Sequence, residues 1–483
     1  MYLGLDIGTS SVKGLLIDES QRIVASQTAP LDVSRPEPGW SEQDPAEWWR
    51  AVTEVLDELA ETAPAQLAAT RSIGLSGQMH GATLLDAADQ PLRPCILWND
   101  GRASVEAAEL SDASERVTGN LAMPGFTAPK LLWVQRHEPD TFALIATVLL
   151  PKDYIRLMLT GEKASDMSDS AGTLWLATAD REWSDEMLRR TGLDRSHMPR
   201  LVEGTDVTGT LLATLASRWG MARDVVVAGG GGDNAASGAG VGAVSPGSGF
   251  ISLGTSGVIF ITADRYRANP ASAVHTFCHA IPGTWHQMGV TLSAADSLEW
   301  LARITGDSAE YLIDELGDKP AGPSTIRFLP YLSGERTPHN DVAVRGAFVG
   351  LDQRHRRRDL TQAVSEGVAF ALKDCLDALT APLAPPRQLI AVGGGSRSRY
   401  WLSVIATVLD LPIAVPADGS VGAAFGAARL GLVAAEHADP LEVCVSPDIR
   451  ETIDPIAALT DAYSSAHAAY REVYPALKSA ARQ

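Results

Sequence analysis

The hydrophobic and polar positions of this chain alternate between short apolar runs and longer amphipathic stretches. Apolar runs that end at glycine, asparagine or aspartate predict strands, and the amphipathic stretches predict helices. Strands that alternate with helices indicate an α/β fold. The predicted strands cover residues 2–17 and 22–28 as a hairpin, then 71–76, 95–98, 224–228 and 388–392, and the predicted helices cover 47–61, 293–305, 360–379 and 421–432.

One hydrophobic pattern occurs twice. Residues 5–18 read LDIGTSSVKGLLID, and residues 251–264 read ISLGTSGVIFITAD. In each copy apolar residues flank a Gly-Thr-Ser turn, which predicts a β-hairpin. The second copy begins about half a chain after the first, so we expect two halves with one plan, residues 1–245 and 246–483. Residues 103–221 are predicted to be a mainly helical insertion into the first half.

The glycine-rich turns differ in what they predict. The two Gly-Thr-Ser turns offer hydroxyls and consecutive N–H groups to an anion, so one turn from each half could hold a polyphosphate. The turn 393–396 (GGGS) follows a strand and is a candidate nucleotide-binding turn, although no Walker A lysine follows it. The spacing of the glycines in 238–242 (GAGVG) does not match a dinucleotide fingerprint and indicates tight helix packing instead.

Composition narrows the class of protein. The net charge is −19, which disfavours electrostatic binding to nucleic acid or to an anionic membrane. Four cysteines are scattered without CxxC spacing, as expected of buried thiols in a cytosolic protein. No apolar run approaches ~18 residues, and the N-terminus lacks the pattern of a signal peptide. We therefore expect a soluble, cytoplasmic protein of more than one domain.

Asp233 is the main catalytic candidate. It follows a buried apolar strand and four glycines, Gly229 to Gly232. A carboxylate on such a loop could accept a proton from a substrate hydroxyl or hold a metal ion. The structural alternative is an N-cap on a glycine turn. A cap needs no run of glycines, whereas a ligand that approaches the backbone closely does.

Asp6 is a second candidate because it lies inside an apolar strand, where a carboxylate is costly unless it is paired or liganded. The second copy of the repeat has Ser252 at this position, so the carboxylate belongs to one half only. The alternative is a hydrogen-bonded structural aspartate.

Two predicted strands end in polar clusters that are expected to converge. An aromatic ring, amides and a carboxylate together suit a polyol, which has apolar C–H faces and many hydroxyls. The clusters contain Gln78, Met79 and His80 after the first strand, and Trp98, Asn99 and Asp100 after the second.

These residues lie in motifs that resemble the FGGY carbohydrate kinases over essentially the whole chain. The motifs are DIGTSSVK (6–13), SEQDPAEWW (41–49), SGQMHGATLLD (76–86), LWNDGR (97–102), PGFTAPKLLWVQRHEP (124–139), GGGDNAA (230–236), SLGTSG (252–257), YLSGERTPHN (331–340) and VGGGSRS (392–398). The Met79-His80 pair resembles the members that phosphorylate D-xylulose, whereas glycerol kinases have a charged pair there.

The resemblance implies two actin-like (ribonuclease H-like) ATPase domains, with ATP and sugar meeting in the cleft between them. It implies Asp233 as general base and Asp6 and Asp233 as the Mg²⁺ site. The ketose would contact Met79, His80, Asn99, Asp233 and Asn234, the ATP phosphates Thr9, Ser10, Lys13, Gly254 and Thr255, and the adenosine Gly394 and Gly395. The sequence departs from the family pattern in having four glycines before Asp233 where three are expected.

Other functions remain open at this stage. A kinase for another ketose or polyol, such as ribulose, arabinitol or xylitol, would have the same reacting groups. A non-kinase ATPase switch on the same fold would need an appended peptide-binding domain or polymer-forming inserts, and the two halves and the insertion account for nearly all of the chain. A homodimer is common in the family.

Overall fold

The computed structural model describes residues 1–419 and 421–480. Each half contains one seven-stranded mixed sheet. In order across the sheet, the N-terminal half has strands Val207–Thr210, Val226–Ala228, Ser72–Gly77, Tyr2–Ile7, Ser11–Ile17 and Ile23–Pro30, with Gly231–Gly232 also beside Ser72–Gly77. The C-terminal half has His275–Cys278, Trp285–Thr291, Gly257–Ala263, Gly249–Leu253, Leu389–Val392, Ile413–Pro416 and Ile449–Ile453.

The two sheets follow one plan. In each, three neighbouring strands pair antiparallel, and the first of them pairs on its other side with a parallel strand. In the C-terminal half the strand His275–Cys278 lies in sequence between the second and the third of these strands. A second parallel strand and then an antiparallel edge strand follow. Both Gly-Thr-Ser turns join the first two of the three antiparallel strands. The repeat predicted from the sequence is therefore confirmed at the level of topology.

The remaining elements are short sheets and helices. The two-stranded sheets pair Glu42–Gln43 with Cys95–Ile96, Thr83–Leu85 with Thr147–Leu149, Ala164–Asp166 with Arg200–Val202, Leu176–Ala177 with Glu182–Trp183, and Arg327–Leu329 with Ala347–Val349. The helices are Pro45–Thr62, Pro64–Ala68, Ser104–Thr118, Thr127–His137, Pro139–Phe142, Pro151–Thr160, Met167–Ala171, Asp185–Arg190, Ala213–Arg218, Asp233–Val241, Ala295–Thr305, Ala309–Asp314, Arg357–Thr380, Arg399–Leu409, Ala423–Glu436, Pro440–Val443, Ala457–Arg471 and Val473–Ala480.

Helix starts follow local chemistry where the sequence supplies it. Asp44 caps the helix Pro45–Thr62 by accepting a hydrogen bond from the Ala46 N–H, and Pro45 occupies the first helical position. This helix buries Trp48 and Val52 among other apolar residues against the first sheet.

Two local predictions were wrong. Residues 103–221 contain six short strands besides their helices, and the last of them, Val207–Thr210, joins the N-terminal sheet. The predicted strand 95–98 is only Cys95–Ile96. Both errors have one cause: a strand of two to four residues is too short to show a period, and its partner strand lies far away in sequence.

Glycines allow a helix of the C-terminal half to pack closely on the N-terminal sheet. A Cβ on Gly4 would lie 1.9 Å from the Ala424 carbonyl oxygen, and one on Gly74 would lie 1.7 Å from that of Ala427. The helices Asp233–Val241 and Ala423–Glu436 are equally close, because a Cβ on Gly426 would lie 1.7 Å from the Ala236 carbonyl oxygen, and one on Gly240 would lie 2.6 Å from that of Gly422. Tight packing, predicted for 238–242, is confirmed.

The hydrophobic core is continuous between the halves. One cluster of buried residues contains Tyr2 and Leu15 of the first sheet together with Phe250 and Phe260 of the second. Cys95, Cys278, Cys375 and Cys444 are buried free thiols, as predicted. None of the helices in the described part of the chain is long and apolar enough to cross a membrane.

Candidate active site

The glycine run before Asp233 forms a kinked connection between two short strands. Gly230 adopts φ +74°, a backbone conformation that favours glycine, and a Cβ there would lie 2.0 Å from the Leu75 carbonyl oxygen. Gly231–Gly232 then pairs in parallel with Ser76 and Gly77. The kink at Gly230 therefore accommodates the four glycines and keeps Gly231 and Gly232 in register with the strand Ser72–Gly77.

Asp233 is the first residue of the helix Asp233–Val241, whose N-cap is Gly232. The N-cap alternative for Asp233 is thus wrong. Its carboxylate oxygen Oδ1 accepts hydrogen bonds from the Asn234 backbone N–H at 2.7 Å and from Asn234 Nδ2 at 2.9 Å. Burial and the nearby charge of Asp6 raise the pKa of Asp233 to about 7, although the Asn234 hydrogen bonds oppose this. A carboxyl with this pKa can exchange a proton near neutral pH.

Asp6 lies in the first strand, one strand away from the glycine loop. Asp6 pairs with Ser76 in the parallel register, and Ser76 pairs with Gly231 on the other side. The Ser76 hydroxyl donates to Asp6 Oδ1 at 2.9 Å. Burial raises the pKa of Asp6, and the Ser76 hydrogen bond and the charge of Lys13 oppose the increase. The aspartate is hydrogen-bonded, as the structural alternative proposed, but it also lies close enough to Asp233 for its charge to raise the pKa of that carboxyl.

Met79 and His80 lie beside the glycine loop. A Cβ on Gly232 would lie 2.9 Å from Met79 Cγ, so Met79 packs directly against the residue before Asp233. His80 adopts φ +71°, and its backbone carbonyl accepts from Thr127 Oγ1 at 3.0 Å and from Lys130 Nζ at 2.9 Å. These two donors hold an uncommon backbone conformation in place.

The His80 ring is a neutral hydrogen-bond acceptor. Its Nδ1 lies 2.7 Å from the Gly172 carbonyl oxygen, which can only accept, so Nδ1 carries the proton and Nε2 presents a lone pair. Burial, together with the charges of Lys130 and Arg336, lowers the pKa of His80 to about 3, although the hydrogen bond to Gly172 opposes this. The ring is therefore suited to accept a hydrogen bond from a hydroxyl.

The C-terminal half contributes residues to this site that sequence reasoning missed. The His80 ring contacts Phe126 with a centroid distance of 4.4 Å, and Phe277 of the second sheet lies 6.2 Å away. His275 stacks on Phe277, and Arg336 Nη1 lies 3.2 Å from His275 Nε2. Phe126 and Arg336 lie in the motifs 124–139 and 331–340. No local pattern marks Phe277 or His275, because they reach His80 only through the packing of the two halves.

The second polar cluster converges only in part. Trp98 donates from Nε1 to Thr9 Oγ1 at 3.0 Å. Asn99 is exposed. Asp100 is buried and accepts from Arg102 and from the Ser41 N–H at 2.6 Å. The prediction that Asp100 lines a sugar site is wrong, because the Asp100 carboxylate is used within the protein.

The first Gly-Thr-Ser turn is tied to the same region by hydrogen bonds. Thr9 Oγ1 donates to Gln78 Oε1 at 2.9 Å, and Gln43 donates to the Thr9 carbonyl at 2.7 Å. Ser10 is exposed and Lys13 is half-buried. This turn therefore lies close to the Met79-His80 loop.

The second Gly-Thr-Ser turn and the GGGS turn line a common cleft of about 550 Å³. Gly254, Thr255, Gly394 and Gly395 are all part of its lining. The lining also contains Arg397, Ser398 and several carboxylates, which sequence reasoning did not identify; these carboxylates are Asp296, Glu299, Glu310 and Asp314. Thr9, Ser10 and Lys13 do not line this cleft. The carboxylates of this lining favour an uncharged part of a ligand beside them, while the N–H groups of the glycine turns can bind a phosphate.

Asp6 and Asp233 fit a magnesium ion by the chemistry of their donors. Mg²⁺ prefers carboxylate oxygens and is often held by one or two of them together with substrate phosphates. Within 1–419 and 421–480, neither carboxylate is in an ion pair with a basic side chain, and each is raised in pKa. A cation beside both would relieve their mutual repulsion.

Comparisons with known proteins agree with this geometry. The model of the FGGY family of carbohydrate kinases, N-terminal domain, matches residues 1–240, and that of the C-terminal domain matches residues 249–435. The chain belongs to the FGGY family of carbohydrate kinases.

Similar relatives and solved structures cover nearly the whole chain. The chain is 48% identical to a xylulose kinase from Escherichia coli (strain K12), with 99% of each chain covered. It is 51% identical to a xylulose kinase from Klebsiella pneumoniae, over 93% of this chain and 95% of that one. A solved structure from Brucella ovis, described as a "xyloylose kinase", is 57% identical with a TM-score of 0.98 and 99% of each chain covered. The predicted fold of two actin-like domains is confirmed.

Proposed function

We propose that this enzyme transfers the terminal phosphoryl group of ATP to D-xylulose and releases D-xylulose 5-phosphate and ADP. The observation that carries the proposal is the Asp233 carboxylate, which lies at a helix start beside Met79 and near Asp6, with its pKa raised to about 7. The names of the similar proteins from Escherichia coli and Klebsiella pneumoniae support D-xylulose as the acceptor.

Asp233 acts as the general base in this proposal. Its ionised carboxylate takes the proton of the acceptor hydroxyl, the hydroxyl oxygen bonds to the terminal phosphorus of ATP, and the bond from that phosphorus to ADP breaks. Phosphoryl transfer depends mostly on positioning and on neutralising charge. A base with a pKa near the working pH contributes ~10²–10⁴-fold in rate.

The sugar lies against the Met79-His80 loop. His80 Nε2 accepts a hydrogen bond from a sugar hydroxyl, and Met79 covers an apolar C–H face. Asn234 Nδ2 donates to Asp233, and Asn234 Oδ1 has no donor among the described residues, so it can accept from a second hydroxyl. The exposed Asn99 side chain completes the set of sugar contacts.

The nucleotide lies in the cleft of the C-terminal half. Gly394 and Gly395 border the adenosine, and Gly254 and Thr255 hold the phosphates with their N–H groups and hydroxyl. Thr9, Ser10 and Lys13 approach the phosphates from the N-terminal half. Mg²⁺, held by Asp6 and Asp233, would neutralise phosphate charge.

Several features of the whole protein belong to the same proposal. The boundary between the two kinase domains lies at residues 245 and 246. The enzyme works in the cytoplasm, and its buried free thiols suit a reducing compartment. Its partners are the sugar and ATP, not nucleic acid or membrane, and a second copy of the chain can form a homodimer.

The test of the substrate is ADP release with Mg-ATP across D-xylulose, D- and L-ribulose, D-fructose, glycerol, xylitol and D-arabinitol. Strong stimulation by D-xylulose alone is the expected result. Stronger stimulation by another member of the panel would replace the substrate and keep the mechanism. If no member stimulates ADP release, the proposed function is wrong.

The test of the base is Asp233→Ala. The variant should keep its fold and bind nucleotide, while kcat falls by ~10²–10⁴-fold. The matched control is Asp224→Ala, because Asp224 is exposed just before the preceding strand and should leave kcat unchanged. Retention of more than about a tenth of the wild-type kcat would exclude the base role.

A further inference from the structure

A cluster of buried charges lies behind the glycine loop. The side chains of Lys152, Asp153, Arg156, Asp166 and Asp169 are all fully buried. Lys152 Nζ lies 2.6 Å from Asp153 Oδ1 and 2.8 Å from Asp166 Oδ1. Buried ion pairs add little net stability after the cost of desolvation. The cluster therefore calls for a reason other than stability.

Arg156 of the cluster bonds to the start of the glycine loop, Gly229 to Gly232. Arg156 Nη1 donates to the Ala228 carbonyl at 2.7 Å, and Arg156 Nη2 donates to the Gly229 carbonyl at 2.5 Å. Arg156 Nη1 also donates to Thr208 Oγ1 at 2.5 Å. The guanidinium thus ties the last strand residue and the first glycine to the edge of the sheet.

Asp166 of the cluster is connected through Ser168 to the end of the glycine loop. The Gly232 N–H donates to Ser168 Oγ at 3.1 Å, and Ser168 Oγ donates to Asp166 Oδ2 at 2.5 Å. Asp166 in turn caps the short helix Met167–Ala171 and lies against Lys152. A continuous chain of contacts therefore runs from Lys152 through Asp166 and Ser168 to the residue that precedes Asp233.

We propose that Arg156, Asp166 and Ser168 are positioning residues that hold the glycine loop and thereby aim the Asp233 carboxylate at the acceptor hydroxyl. Four consecutive glycines have wide conformational freedom, so the loop cannot fix a carboxylate by itself. Fixed hydrogen bonds at both ends remove that freedom. A misplacement of about 1 Å at a reacting group can cost ~10²-fold in rate.

The test compares two serines of the same short helix. Ser168→Ala removes the acceptor of the Gly232 N–H. Ser170→Ala is the matched control, because Ser170 is equally buried but donates to Ser165 Oγ at 2.9 Å and does not bond to the loop. Both variants are assayed in the full chain on the sugar that the wild-type enzyme phosphorylates fastest, so a different acceptor does not alter the comparison.

For Ser168→Ala we expect kcat to fall about 10- to 100-fold while KM for the sugar changes by less than about threefold. Ser170→Ala should keep kcat within about twofold of the wild-type value. Its thermal midpoint should fall by about as much as that of Ser168→Ala. A purely structural role of Ser168 would lower the midpoint and the folded fraction, but not kcat per folded enzyme.

Two results would overturn the inference. One is a Ser168→Ala enzyme whose kcat per folded molecule stays within about twofold of wild type. If Ser168→Ala does not fold, Ser168→Cys, whose sulfur is a weaker acceptor, gives the same comparison. The other is an active Asp233→Ala enzyme. The inference rests on the proposed base, and if Asp233 is not the base, the loop does not position a catalytic carboxylate. An unchanged Ser168→Ala beside an inactive Asp233→Ala would reject the positioning role alone.

Discussion

At the scale of single residues, the same chemical group has different uses according to its partners. Asp233, Asp6 and Asp100 all follow or lie within apolar strands. Asp100 is neutralised by Arg102 and accepts the Ser41 N–H, so it is a structural residue. Asp233 has no basic partner within the described ranges and faces Asp6, which keeps its carboxylate reactive. Sequence alone could nominate all three, but only the contacts separate them.

The pKa of Asp233 predicts a pH dependence of activity. A general base works in its ionised form, so kcat/KM for the sugar should rise with pH. The pKa of about 7 is that of Asp233 without a cation, and Mg²⁺ beside the carboxylate would move the midpoint of the rise below pH 7. His80 stays neutral over this range because its pKa lies near 3. The measurement is initial rates of ADP release between about pH 4.5 and 9, and a rate that does not rise with pH anywhere in the acidic part of this range would contradict the prediction.

The control for this profile is the residual activity of Asp233→Ala, which should lose the rise. Burial also lowers the pKa of Lys130 to about 7 and raises the pKa of Glu335 to about 7. A rise that persists in Asp233→Ala would therefore assign the titration to one of those groups.

At the scale of helices and strands, the ends of an element can be predicted when the sequence pattern that defines it is local. The helix predicted at 360–379 is Arg357–Thr380, and the strand predicted at 388–392 is Leu389–Val392. The helix is long and the strand is clearly bounded, so a local pattern is enough to predict each of them. The short strands of residues 103–221 were missed because each is defined by a partner strand and not by its own period.

Close helix packing predicts a specific sensitivity to substitution. Gly74→Ala would place a Cβ 1.7 Å from the Ala427 carbonyl oxygen, so the helix Ala423–Glu436 must move away from the sheet. We expect a loss of stability on the order of 1–3 kcal/mol or more. Thermal or urea unfolding measures it, with Gly101→Ala as the control, because a Cβ there would meet its nearest atom at 3.7 Å. Equal stability of the two variants would contradict the close packing.

At the scale of the whole molecule, the proposed reaction needs groups from both halves. Asp233, His80 and Asp6 belong to the first half, while the cleft lined by Gly254 and Gly394 belongs to the second. Phe277 of the second sheet already lies near the His80 ring. Transfer requires the reacting atoms to approach within about 3–3.5 Å, which favours closure of the two halves around both substrates.

Closure predicts a smaller molecule in the ternary complex. Small-angle X-ray scattering should give a lower radius of gyration with D-xylulose plus a non-hydrolysable Mg-ATP analogue than without ligand. Sugar alone and nucleotide alone serve as controls, and each should cause a smaller change. An unchanged radius of gyration in the ternary complex would reject closure.

From the amino-acid sequence alone we could predict the repeated hairpin, the α/β class, the family, and the Gly-Thr-Ser and GGGS turns. Those features are carried by local patterns, which need no knowledge of distant partners. The tertiary structure decided which candidate aspartates are left without a basic partner in the described ranges, and it brought Phe277, His275 and Arg336 near His80. It also placed the buried side chains of Arg156 and Ser168 in hydrogen-bond contact with the glycine loop. These contacts join residues far apart in the chain, and no local period encodes such contacts.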